Sequence, residues 1–270
     1  METRVERDSL GELRVPRRAY WGIRTGRRLA RGVLGQRYPR RLIHGVSALV
    51  RAITMAMEDA EVLRVDEGEW VSAAAQELSD AMLDAEVVVD AATDWNGEDL
   101  VLNVREVVKN RANELMGGDV GVNQPISLER HVTPRINPAG VFRLGALVGA
   151  AILVRDELLS RLDGEAHQAA EALLAELVLI DSSALGVDPG EGKQILRRLS
   201  GILGVEFRAG SPAPLTPSLN ALVGALPNGA AATASQALAA AYGAAFTACP
   251  GASGVWAPLL VRGLEAAARA

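Results

Sequence analysis

Over residues 40–60 the apolar side chains Leu42, Ile43, Val46, Leu49, Val50, Ile53 and Met57 return at intervals of three and four. That spacing gathers them on one face of an α-helix and is incompatible with the alternation of a half-buried strand. Further along, Val71, Ala74, Leu78, Met82 and Val87 predict a second helix over 69–89. A third is predicted over 100–115, with Gly117-Gly118 as its stop. A polar loop containing prolines follows over 119–138. Helices are then expected over 141–162 and 167–178. Asp188-Pro189-Gly190 opens a turn before a helix over 193–203. Residues 209–217 read as loop, followed by helices over 218–226 and 256–268. The first 25 residues read as extended and turn-rich, punctuated by Gly11, Pro16 and Gly22. With no internal repeat and no long strand alternation, the sequence predicts an all-α protein, a long-helix bundle behind a turn-rich N-terminal segment.

Composition agrees. Aromatic residues are only 4% of the 270, and much of the 49% apolar fraction is alanine, which suits close-packed helices better than sheets. Residues 229–248 carry no charge and are long enough to cross a bilayer. They are mostly alanine with few large apolar side chains, so they read as a helix buried among helices, not a membrane span. A net charge of −5 argues against general nucleic-acid binding. The N-terminal part is nonetheless crowded with Arg17, Arg18, Arg24, Arg27, Arg28, Arg31, Arg37, Arg40 and Arg41. These read as a solvated or subunit-facing surface, with a patch for an anionic partner as the alternative. Cys249 stands alone, so no intrachain disulfide framework can form. The three histidines and the cysteine are far apart, and no metal or other cofactor is expected. His44 reads as a core or interface residue and His167 as solvent-facing. The stretch from Gly190 to Gln194 lacks the glycine spacing and the Ser/Thr of a phosphate loop. The charged N-terminus has no signal-peptide core, and a cytoplasmic protein is the expectation.

Two segments carry a family resemblance. Asp8-Ser-Leu-Gly-Glu-Leu-Arg-Val-Pro16 leads into Tyr20-Trp-Gly-Ile-Arg-Thr25, and Asn103-Val-Arg-Glu-Val-Val-Lys-Asn-Arg-Ala-Asn-Glu-Leu115 follows downstream. Both resemble the N-terminal region of the class-II fumarase/aspartase superfamily. The resemblance implies an N-terminal domain over 1–138 and a shortened central helical-bundle domain over 139–270, without the family's C-terminal domain. It also implies elimination from a succinyl compound with release of fumarate, at sites built from several subunits of a tetramer. In such chemistry a mobile serine takes a proton while fixed donors hold the developing aci-carboxylate.

The three blocks that supply those groups look altered here. Glu98 and Asp99 stand where the family's carboxylate-binding Thr and Ser would be, upstream of the retained Asn103. Two carboxylates would repel a dicarboxylate and have no proton to donate at neutral pH. In the second block His131 and Asn137 match, the serines are missing, and Arg135 offers a planar fork for an anion. In the third, residues 223–232 match the signature loop but contain no side chain able to take a proton, and no Thr-His motif is found. The sequence therefore points to a superfamily member that has lost fumarate-lyase catalysis and acts as a noncatalytic scaffold or regulatory subunit. Its expected assembly is a homo-oligomer, or a hetero-oligomer with a full-length relative. The alternative is a divergent lyase, with His131, Glu98 and Asp99 as catalytic candidates and Arg135, Asn137 and Asn103 as substrate-binding ones.

Overall fold

The computed structural model describes residues 2–94, 96–210, 215–226 and 253–268. It opens with a hairpin of β1 (Thr3–Asp8) and β2 (Gly11–Pro16), then a short helix α1 (Ile23–Leu29). The bundle is built from α2 (Arg40–Asp59), α3 (Val65–Ser79), α4 (Glu98–Leu115), a single turn α5 (Leu128–His131) and α6 (Pro138–Leu153). It continues with α7 (Gly164–Leu177), α8 (Pro189–Leu203), α9 (Thr216–Ala225) and α10 (Ser253–Ala268). Two-residue strands β3 (Leu179–Ile180) and β4 (Arg208–Ala209) pair in parallel beside α8. The protein is predominantly helical, as its periodicity predicts.

The packing centre is α2. Its apolar stripe, with Leu42, Val46, Leu49, Val50 and Ile53 all fully or almost fully buried, lies most extensively against α6 and then against α3 and α8. Backbones meet closely there: a Cβ on Gly45 would fall 2.1 Å from the Gly145 carbonyl oxygen, and one on Gly149 would fall 2.2 Å from that of Arg41. Small residues allow this separation, and the flanking Leu and Val side chains seal it.

Three expectations need correction. The first 16 residues form a true antiparallel hairpin. Its pairing escaped the periodicity because charged residues such as Arg4, Glu6, Arg7 and Glu12 fill both strands and only Val15 is fully buried. The helix expected over 69–89 starts earlier, at Val65, and stops at Ser79. Ala81 takes a left-handed φ of 65°, Met82 is exposed, and Val87 is buried from an extended stretch, so the apolar rhythm beyond 79 was fortuitous. The helix expected over 141–162 begins at Pro138 and relaxes into a π-helical turn at Val154–Leu158. Pro138–Leu158 is long and apolar enough to cross a membrane, yet 78% of its most apolar window is buried, against α2, α4 and α10. Residues 227–232 of the third block, the uncharged stretch 229–248 and Cys249 lie outside the described residues.

Side-chain caps fix the starts of α6, through Asn137, and α8, through Asp188. The Asp188 carboxylate accepts from Gly190 N at 2.8 Å and Glu191 N at 3.1 Å, with Pro189 at the first helical position of α8. Asp188→Ala is expected to destabilise the fold by about 1 kcal/mol, read by urea denaturation, because two N–H groups lose their acceptor. A change below a few tenths would mean that water replaces the cap.

Candidate functional site

The two segments that carry the resemblance meet in space. From α4, the Glu106 carboxylate accepts the backbone N–H groups of Gly22 at 2.9 Å, Thr25 at 3.0 Å and Arg24 at 3.1 Å. Glu6 accepts from Ile23 N at 2.8 Å, so four donors opening α1 find carboxylates inside the protein. Glycine is required at 22, because a Cβ there would lie 2.8 Å from the Glu106 Oε1. One turn along α4, Asn110 Nδ2 donates to the Tyr20 carbonyl and its Oδ1 accepts from Gly121 N. Asn113 clasps Ile126 through both N–H and C=O, at 2.9 and 3.0 Å. These residues fasten loops to a helix. Sequence reasoning found the segments but missed Glu106 as their joint; the signal was its helical spacing, three residues after Asn103 and four before Asn110.

The first site block sits where α4 begins. Gly97 has φ 77°, and a side chain there would collide with the Phe142 ring. Glu98 and Asp99 open the first turn. Asp99 bonds to Arg28 Nε at 2.9 Å. Burial, then the nearby Asp94 charge, hold the Asp99 carboxyl above its ordinary range, and Arg28 and Arg31 pull the other way. Asp94, 4% exposed, accepts from the Tyr38 hydroxyl at 2.7 Å and Leu100 N at 2.9 Å. Neither Asp94 nor Tyr38 was foreseen. Burial and that carboxylate push the Tyr38 phenol far up, so it stays a donor. The turn thus presents acceptors where hydroxyl donors would be needed for a carboxylate substrate. Behind it, Asn103 is fully buried, accepting from Val88 N at 2.8 Å and donating to the Glu86 carbonyl at 3.1 Å.

The second block lies elsewhere. His131 closes α5 and is 2% exposed. Its Nδ1 accepts from Ser127 N at 3.0 Å, which places the ring proton on Nε2, 3.6 Å from the Glu67 carboxylate. The ring atom able to take up a proton is therefore the one already bonded to Ser127. Thr133 and Arg135 hold left-handed φ values of 49° and 61°, the kind of backbone strain that gathers at functional sites. Arg135 lines an open cleft of about 980 Å³ with Arg130, and Asp59, Glu129, Asp188 and Glu191 line it too. Asp59 is held below the usual carboxylate range by its bidentate contact with Arg198 and by Gln194. Asn137 caps α6 through Ala139 N and donates to the Ala184 carbonyl. Glu98 and Asp99 do not line the Arg135 cleft, so within one chain the candidates divide between two places.

No family model matches the chain. It is 33% identical over 162 residues to the class II fumarate hydratase of Thermosynechococcus vestitus, a match covering 60% of this chain and 35% of that protein. With the class II fumarate hydratase of Pseudomonas syringae pv. tomato it shares 31% over 173 residues, covering 62% and 37%. Among solved structures, the class II fumarase of Schistosoma mansoni superposes with a TM-score of 0.78 at 13% identity, over 99% of this chain and 81% of that one. The fumarate lyase:delta crystallin of Brucella melitensis gives 0.76 at 18%, with the same coverage. Over about 60% of its length the chain is a relative of the class II fumarate hydratases of the fumarase/aspartase superfamily. The solved structures establish the fold, and the sequence matches establish kinship over the matched stretch. The matched stretch spans little more than a third of the length of these curated relatives.

Proposed function

We propose that this superfamily member keeps the lyase scaffold without its elimination chemistry, and serves as a noncatalytic scaffold or regulatory subunit. The observation that carries this reading is the engagement of its retained motifs. Glu106, Asn103, Asn110 and Asn113 bond to this chain's own backbone, while carboxylates stand at the turn that should receive a substrate carboxylate. What has been kept is what holds the fold. The relatives are fumarate hydratases by name, and the loss of that activity is our reading of this chain alone.

Assembly is part of the proposal, as a homo-oligomer or with a full-length relative. The family resemblance supports it, and so does exposed apolar surface on α3 and the turns beside it, at Val62, Val65, Trp70 and Met82. The division at residue 138 is proposed as a mark of ancestry, since α2 and α6 share one core across it.

Ultraviolet detection of fumarate tests the reading. Malate, aspartate, argininosuccinate and adenylosuccinate are offered to the purified protein at high concentration, and light scattering gives the oligomeric state. No fumarate is expected from any of them. Turnover abolished by His131→Ala would overturn the proposal in favour of a rebuilt lyase site.

A further inference from the structure

Arg24, Arg27, Arg28 and Arg31 follow the i, i+3, i+4, i+7 spacing of one helical face. In α1 and the turn behind it, that face lines a cleft of about 590 Å³, together with Arg7 of β1 and Lys109 of α4. Six cations thus surround one concavity in a chain whose net charge is −5. No role in the scaffold reading accounts for so many.

The carboxylates in the lining are already committed. Glu106 holds the backbone entering α1, Glu6 holds Ile23 N and Arg4, and Asp8 makes a bidentate pair with Arg27. At the rim, Arg24 pairs with Glu129, Arg28 with Asp99 and Arg7 with Glu12. The Arg24 and Arg7 pairs are largely exposed, and such pairs are weak and exchange partners readily. Arg31 forms no ion pair among the described residues. Lys109 differs from all of these: it is 3% exposed, and its ammonium donates to the Val122 carbonyl at 2.8 Å and to Asn123 Oδ1 at 3.4 Å, with no carboxylate in ion-pair contact. Burial holds its pKa below the ordinary lysine range, while the charges of Glu6 and Glu106 oppose that shift. A buried cation with only neutral partners is costly unless an anion completes its surroundings.

We infer that this cleft binds a small multivalent oxyanion, a ligand bearing phosphoryl groups or several carboxylates. The volume is that of a small-molecule site. Arginine forks grip both oxyanion types bidentately, and the buried Lys109 adds a point charge at the base. The net negative charge of the chain disfavours a long polyanion, which would meet repulsion beyond the cleft. The inference does not depend on the loss of catalysis, because its readout is binding and not turnover.

Titration calorimetry on the full chain tests it, with pyrophosphate and citrate as separate probes and sodium chloride matched for ionic strength. Saturable binding of at least one probe is expected, and the stronger of the two identifies the class. An Arg24→Ala/Arg31→Ala double variant, altered at exposed positions, should weaken binding at least tenfold with an unchanged far-ultraviolet circular dichroism spectrum. Arg143→Ala, exposed on α6, should bind as the parent does. Heat reproduced by sodium chloride alone would overturn the inference. So would equal binding by the double variant, or a 20-nucleotide DNA strand that outcompetes both probes.

Discussion

Glu106→Ala is expected to lower the unfolding free energy by about 4 kcal/mol and the melting temperature by roughly 10 °C. Three backbone N–H groups, of Gly22, Arg24 and Thr25, donate to this one carboxylate. Bonds to a charged acceptor contribute about 1.5–3 kcal/mol each and do not add fully when they share it. Alanine strands all three donors and leaves a void beside Gly22, which packs directly on the carboxylate. Glu106→Gln keeps the volume and one acceptor oxygen, so its loss should fall near half that of alanine. Urea denaturation of the three proteins gives the ordering. If alanine and glutamine both stayed within 1 kcal/mol of the parent, the joint between α1 and α4 would not be a main support of the N-terminal region.

That joint also explains how much of this protein was legible in its sequence. Asn103, Glu106, Asn110 and Asn113 follow helical spacing, so the segment could be placed on a helix and matched to a family before any coordinates. The partners could not be read, because Gly22, Ile126 and Gly121 contribute backbone atoms, which leave no signature in residue identity. The hairpin was missed for a related reason. Its register is held by main-chain bonds and by pairs such as Arg7 with Glu12, with Val15 the lone fully buried apolar residue. The overlong helix over 69–89 failed at Ala81, whose left-handed backbone no propensity scale anticipates for alanine. Among the site residues, Asp99 and Arg28 are 71 positions apart in the chain, and no periodicity connects them. The arginine face of α1 is visible in the sequence as a crowd of charges. Its concavity was not, since that depends on where α4 places Lys109.

Gly45→Ala is expected to destabilise the protein by about 3 kcal/mol, although alanine is the better helix former by about 1 kcal/mol. The added Cβ would lie 2.1 Å from the Gly145 carbonyl oxygen and 2.4 Å from Gly149 N. Both are backbone atoms of α6, so no side chain can swing aside and the two helices must part by about 1 Å to restore ordinary contact. The interface they share is the most extensive among the described elements, and parting it loosens Leu42, Val46 and Leu49 against their partners. A second glycine isolates propensity from packing. Gly201 lies within α8 with nothing within 4 Å of its missing Cβ. There Gly201→Ala should stabilise by about 0.5–1 kcal/mol, since only the unfolded chain's freedom and helix propensity are in play. Opposite signs at two helical glycines would tie the cost at Gly45 to the close crossing of α2 and α6. Equal stabilisation at both would mean that those helices do not approach so closely in solution, and that the core rests on its Leu and Val side chains alone.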